Sequence, residues 1–275
     1  MCNNERIYVD LHVLQTVPPS CVNRDDTGSP KTAVYGGVTR ARVSSQAWKH
    51  AMRLLFRDML SQEDVGQRTK TVVDLIAEQV AVICPDCTEK QAQDAAKKVL
   101  EAAGVKVKED KDKLKTGALF FISPSQVHAL AEIAARQEKA PNKAECQDAL
   151  KANPSLDLAL FGRMVADNPC LNFDAAAQVA HAISTHAVEN EFDYFTAVDD
   201  CAPEDNAGAG HLGTVEFNSS TLYRYATVNA GDLKKMLGTA APEAVRAFAE
   251  AFIRSMPTGK QNTFANRTRP DAVYV

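Results

Sequence analysis

Along residues 6–14, RIYVDLHVL, apolar Ile7, Val9, Leu11 and Val13 alternate with Tyr8, Asp10 and His12, the period of two expected of a half-buried strand. A loop containing Pro18, Pro19, Asn23, Gly28, Pro30, Gly36 and Gly37 follows, too long for a simple turn and so a candidate functional segment. The period then changes. Trp48, Met52, Leu55, Phe56 and Met59 fall within an arc of roughly 100° on a helical wheel, which predicts a helix from Ser44-Ser45-Gln46 to about Leu60 with a serine cap at its start. Lys49, Arg53 and Arg57 occupy the adjacent flank, beside Gln46.

From 61 to 190 the pattern is mainly helical: TKTVVDLIAEQVAVI, TEKQAQDAAKKVLEAAG ending at Gly104, SPSQVHALAEIAARQEK and FDAAAQVAHAISTHAVEN. VKVKEDKDKLKTG (105–117) reads as a charge-dense loop, and ALFFIS (118–123) and SLDLALFG (155–162) as short strand candidates. FDYFTAV (192–198) and STLYRYATV (220–228) read as β-rich arms of a projecting ribbon, joined by a stretch of Asp, Asn and Gly with little to bury. A helix near 242–256, the loop PTGKQNTFANRTRP and a terminal strand DAVYV complete an α+β chain with a helix-rich insertion.

Composition fits a folded soluble protein: 275 residues, 45% hydrophobic and 24% charged. The first residues lack a basic stretch followed by an apolar core, and no segment approaches about 18 uncharged apolar residues, so a cytoplasmic location and no membrane partner are expected. Seven scattered cysteines argue for reduced thiols rather than a disulfide framework. Net charge is −4, which excludes a globally basic field. Its distribution is uneven. Residues 21–57 carry +5 (Arg24, Lys31, Arg40, Arg42, Lys49, Arg53 and Arg57 against Asp25 and Asp26), residues 254–269 carry +4 (Arg254, Lys260, Arg267 and Arg269), and the remainder −13. Two basic stretches in an acidic chain would attract a polyanion if they met in space. Short donors lie among them (Ser44, Ser45, Gln46; Gln261, Asn262, Thr263), the mixture that tracks a phosphate backbone.

Other chemistry is thinner. Cys84-Pro-Asp-Cys87 has the spacing of half a zinc site, but no second pair completes four ligands, so two incidental thiols are expected and zinc remains a lesser option. His181 and His186, five apart on the expected helix, do not share a face and read as structural. Phosphate-loop, esterase and metalloprotease motifs are absent. Asp25-Asp26 offers carboxylates for a metal or a ribose hydroxyl, against a commoner turn-forming role. Phe195-Thr196, at the foot of the ribbon, is either core or a wedge between bases.

These residues occur in blocks: LHVLQTVPPSCVNRDD, YGGVTRARVSSQAWKHAMR, LDLALFGRM, AHAISTHAVENEFDYFTAVDD, HLGTVEF, YRYATVN and GKQNTFA. In that order they resemble the CasC family, the repeated backbone subunit of Cascade, the type I-E CRISPR surveillance complex. The resemblance implies an RRM-like (ferredoxin-like) palm with an inserted helical fingers domain and a projecting β-hairpin thumb: palm 1–60, fingers 61–190, thumb 191–224, and a second palm segment 225–275 that stops short of the family's further strand and helices. It also implies a non-enzymatic, cofactor-free subunit that binds guide RNA. Copies stack head to tail along the spacer beside other Cascade subunits, and the guide pairs with target DNA.

Carried over position by position, Arg24, Ser44, Gln46, Lys49 and Arg53 grip the backbone, while Met164 of GRM and Phe195-Thr196 of YFTAV form the wedge that displaces a base. Arg40, Arg42, Lys260 and Gln261 join the RNA-binding set through the two basic stretches. The family's fingers lysines are matched only by Lys139, Lys143 and Lys151, beside acids, and their hold on duplex DNA carries over weakly. The RRM aromatic signature is absent, so phosphate and sugar rather than bases are the expected target of the palm, which suits a scaffold that must accept any spacer. A rival resemblance, to type III backbone subunits that cut RNA with a loop aspartate, would make Asp25 or Asp26 a metal-dependent catalytic group.

Overall fold

The computed structural model describes residues 7–111, 113–137, 140–197, 199–201 and 211–275; Cys2, Lys139 and residues 202–210, within the stretch expected to join the two β-rich arms, lie outside them. The chain is mixed helix and sheet, α+β, and divides into two compact units. One comprises Met1–Val9, Phe56–Gln178 and Val228–Phe248; the other comprises Asp10–Leu55, Val179–Thr227 and Ala249–Val275.

The second unit is built on a sheet. Its strands are β1 (Tyr8–Ser20), β2 (Thr32–Tyr35), β3 (Val38–Val43), β8 (Ala177–Val179), β9 (Ala182–Ser184), β10 (Glu191–Ala197), β11 (His211–Asn229) and β12 (Ala272–Tyr274), ordered β12-β1-β11-β9-β3-β2, with β8 and β10 also pairing β11. Alternation in β1 sends Leu11, Val13, Gln15 and Val17 to the buried side, as the period of two requires. Helix α1 (Ser45–Met59) contributes Trp48 and Met52 to the buried side chains, and α8 (Ala241–Arg254) contributes Phe252. Between them lies Arg224. Its guanidinium stacks 3.7 Å from the Trp48 ring centroid and 4.6 Å from that of Phe252, and donates to Gln15 Oε1 (2.6 Å) and the Phe252 carbonyl. Burial pushes Arg224 down to about 9, so it stays charged at neutral pH. On the other side of the sheet, His12 Nδ1 meets Tyr223 Oη at 2.8 Å and Tyr225 donates to Asp10 Oδ1 at 2.9 Å.

The first unit is mainly helical. Helices α2 (Val72–Ile83), α3 (Glu89–Ala103), α4 (Pro124–Ala135) and α5 (Lys143–Lys151) enclose a core of Val72, Ile76, Val80, Val99, Leu100, Leu130 and Leu150, joined by α6 (Leu156–Phe161) and α7 (Ala230–Leu237). Strands β4 (Gln67–Thr69) and β7 (Phe120–Ile122) pair, as do β5 (Val107–Asp110) and β6 (Lys113–Thr116). Arg163 is buried here. It donates to the carbonyls of Leu171 (3.0 Å), Phe121 (3.1 Å) and Leu150 (2.7 Å) and to Gln126 Oε1 (3.2 Å), and burial alone lowers it to about 10. Among the described residues no helix is long and apolar enough to cross a membrane.

Three local expectations change. Residues 173–190, read as a helix, contain β8 and β9 instead. Their alanines favour a helix, but pairing of Ala182 with Val43 and of Ser184 with Leu222 outweighs that weak preference. The run 156–161, read as a strand, is α6; Leu156, Asp157, Leu158, Ala159 and Leu160 are all buried, and a run buried all round carries no period to decide between the two. The loop expected at 105–117 is a β5–β6 hairpin, with Lys115 paired to Asp110 at 2.8 Å across it.

Candidate nucleic-acid interface

The first basic loop is a braced turn. Asp25 Oδ1 accepts from the amides of Thr27 (2.9 Å) and Ser29 (3.0 Å) and from the Thr27 hydroxyl (2.7 Å). The Thr27 hydroxyl, followed by these amides, holds the Asp25 carboxyl below its ordinary value despite some desolvation. Gly28, at φ 94, takes the left-handed conformation that closes the turn. Arg24 pairs with Pro30 in an isolated bridge at the neck, and its side chain is exposed. A surface hollow of about 540 Å³ is lined by Val22–Gly28 and Gly259.

Asn23 ties this loop to α1. Its carbonyl accepts from the Lys31 amide (2.8 Å), and its Oδ1 from the Ser44 amide (2.9 Å). Ser44 is buried; its hydroxyl accepts from Ala47 N at 3.3 Å and so caps α1. Gln46 is exposed in the first turn, with Lys49 and Arg53 following on the same helix. Arg42 donates to the Thr32 carbonyl (3.0 Å) and lies 3.2 Å from His181 Nδ1. His181 is held below its usual value by desolvation first and then by Arg42, Lys31 and Lys49, a cationic neighbourhood that disfavours another proton. Arg40 is engaged differently: it donates to the carbonyls of Tyr35 (3.0 Å) and Ser184 (2.8 Å), bracing the β2–β3 hairpin against β9.

The second basic stretch meets the first through a glycine. A Cβ on Gly259 would lie 2.0 Å from the Val22 carbonyl oxygen, so only glycine allows the two backbones this approach. Lys260 follows at φ 49 and opens α9 (Gln261–Phe264); Asn266 Nδ2 donates to the Gly259 carbonyl at 3.1 Å. Burial raises the Cys21 thiol, while the nearby charges of Arg24 and Lys260 oppose that rise. Both cations therefore act electrostatically on Cys21.

The foot of the ribbon closes the arrangement. Glu216 on β11 accepts from the Ser29 hydroxyl (2.9 Å) and from Asn190 Nδ2 (3.2 Å), and Asn218 donates to Asn190 Oδ1 (3.0 Å). Phe217 packs against Phe264 of α9 with ring centroids 5.7 Å apart. Strand β10 is exposed at all seven positions. There Phe195 pairs with Gly213, which its ring covers, and Thr196 with Leu212.

Within the sheet unit, Arg24 and Lys260 both act on Cys21, Arg42 and Lys49 act on His181, Ser44 caps the helix whose first turn holds Gln46, Gln261 follows Lys260 in α9, and Phe195 and Thr196 lie on β10 of the ribbon. Arg53 follows one turn further along α1, and Arg40 belongs to the hairpin brace. Met164, 84% exposed, belongs to the helical unit. Sequence reading missed Asn23, Gly259, Glu216 and His181, which hold the pieces together or sit among the cations. A small residue between two basic segments and an acid in a ribbon otherwise read as spacer were the only signals.

A family model described as CT1975-like protein matches residues 9–275. Among solved structures, a chain of a "CRISPR RNA-guided surveillance complex, pre-nicking" is 36% identical with TM-score 0.83, covering 97% of this chain and 77% of the other. A chain of another "CRISPR RNA-guided surveillance complex" is 31% identical with TM-score 0.71, covering 97% and 75%. No curated protein matches.

Proposed function

The chain belongs to the CT1975-like protein family, and from that membership we propose that it is a guide-RNA-binding backbone subunit of a CRISPR RNA-guided surveillance complex of the Cascade, type I-E kind. In this reading the sheet unit, with β8 and β9, acts as a palm, the helix-rich segment 61–176 as fingers and the β10–β11 ribbon as a thumb. Copies stack head to tail along the spacer, and each presents its segment of guide for pairing with target DNA beside other subunits of the complex.

One observation carries the reading: in a chain of net charge −4, Arg24 and Lys260 act together on Cys21, Lys31, Arg42 and Lys49 act together on His181, and Asn23 ties the two segments through the Lys31 and Ser44 amides. Such a cluster neutralises successive phosphates and releases their counterions, without reference to base identity. Bases are then free to pair, and sequence recognition passes to the guide itself. Exposed Phe195 on the ribbon and, separately, exposed Met164 in the helical unit each suit a wedge against a base. The subunit is proposed as non-enzymatic; the Asp25 carboxylate is occupied in bracing its own loop, which supports binding over cleavage.

The test is RNA affinity measured across salt concentrations with several unrelated guide sequences. Arg24→Ala and Lys49→Ala are each expected to weaken binding about equally for every sequence and to flatten the salt slope by about 0.7 per lost contact. Sequence-selective loss, or an unchanged slope, refutes backbone tracking.

A further inference from the structure

Cys84 and Cys87 bracket the turn between α2 and α3, outside the cationic site and in the other compact unit. Cys84 caps α2 through its amide to the Val80 carbonyl (2.8 Å), and the Cys87 amide returns to the Cys84 carbonyl (3.0 Å), so the CPDC segment folds into a tight turn. That turn brings the sulfurs together. Cys87 Sγ donates to Cys84 Sγ at 2.9 Å, and Gln137 Nε2 donates to Cys87 Sγ at 2.6 Å. Both thiols are partly exposed, between exposed Pro85, Asp86 and Thr88. Among the described residues no group of three or more His, Cys, Asp and Glu side chains is arranged to hold a metal. The two sulfurs are therefore in contact, which their spacing alone did not require.

We propose that Cys84 and Cys87 form a thiol–disulfide exchange site that takes small-molecule disulfides of the glutathione class. Cys87 Sγ is the donor and Cys84 Sγ the acceptor of the shared contact, which also raises the Cys87 thiol; Cys84, the acceptor, is the attacking sulfur in this proposal. Cys84 loses its proton to solvent and attacks one sulfur of the reagent; the reagent's S–S bond breaks, and one thiolate leaves and is protonated. Cys87, losing its proton in turn, attacks Cys84 across the short gap, and the second thiolate leaves and is protonated. Two protein thiols and one disulfide become one protein disulfide and two small thiols, with two electrons passed to the reagent. The hydrogen bond that Gln137 Nε2 donates to Cys87 Sγ orients Cys87 for this second step.

The full chain is equilibrated in glutathione buffers of graded oxidised-to-reduced ratio, quenched by alkylation, and mapped by mass spectrometry. The expected result is joint loss of alkylation at positions 84 and 87 in an intramolecular disulfide. Exposed Cys170 and Cys201 serve as controls, since a reaction driven by exposure alone falls on them. In Cys87→Ser a glutathione adduct accumulates on Cys84, whereas Cys84→Ser slows exchange at this turn roughly tenfold or more. The proposal is overturned if both thiols stay alkylatable at ratios where Cys170 and Cys201 carry glutathione. It is equally overturned if the purified chain holds one zinc per molecule that protects both. The wild-type map alone decides, so neither variant's folding enters the outcome.

Discussion

At the scale of single residues, His181 reports on the cationic site in two opposite ways. Desolvation, then Arg42, Lys31 and Lys49, depress its folded value, so the unfolded chain binds the proton first. The stability it contributes is present above the ordinary histidine value of about 6.5 and is lost as pH falls through the folded one. A polyanion that neutralises the three cations removes the repulsion, so the proposed RNA binding is expected to take up a proton. Affinity is therefore expected to rise as pH falls below about 6.5, while the thermal stability of the free protein falls. His181→Gln flattens both profiles. Affinity and melting temperature measured across that range check the pair of signs; parallel slopes contradict the placement of His181 among the cations. Asn23 acts at the same scale through two acceptors, joining Lys31 and Ser44 before any ligand arrives.

At the scale of elements, the site is a junction held by close approach. The loop at 257–266 lies against Val22 because Gly259 has no Cβ, and the contact it would make is with backbone, which cannot move aside as a side-chain tip does. Gly259→Ala is expected to cost roughly 1–3 kcal/mol through overpacking, read as a lowered melting temperature, and to weaken RNA binding by separating Lys260 from Arg24. Gly28→Ala serves as the comparison: it strains only the turn and meets no neighbouring atom within 4 Å. Equal affinity losses in the two would show that the approach of the two loops is unimportant. The same junction shows how far the pattern along the chain reaches. Periodicity marked α1 and its buried stripe, and Trp48, Met52 and Phe56 are fully buried. It misassigned 173–190, where alanine-rich composition favours one local conformation and two neighbouring strands impose another.

At the scale of the whole molecule, two compact units carry separate buried arginines. Arg163 gathers three carbonyls and the Gln126 amide oxygen in the helical unit, while Arg224 stacks between Trp48 and Phe252 in the sheet unit. Replacing Arg163 by Met leaves buried acceptors unpaired, which costs roughly 3 kcal/mol. Hydrogen exchange is expected to show lost protection at 72–135 and retained protection at 38–53, because stability is distributed in local cooperative units. Uniform loss across both segments would mean that the two units open as one.

The sequence by itself determined the α+β class, most helices, the strand β1, the first arm of the ribbon and the two basic stretches, because alternation, helical spacing and charge density are local properties written in neighbouring residues; the second arm, read at 220–228, pairs instead through 211–217. Only the tertiary structure decided that Arg24 and Lys260, 236 positions apart, both act on one buried cysteine, that Arg40 braces a hairpin, and that Asn23 ties the loop to the start of α1. It also decided that Cys84 and Cys87 touch. Each of these outcomes depends on which distant backbone a side chain meets, through hydrogen bonds and close contacts that have no period along the chain.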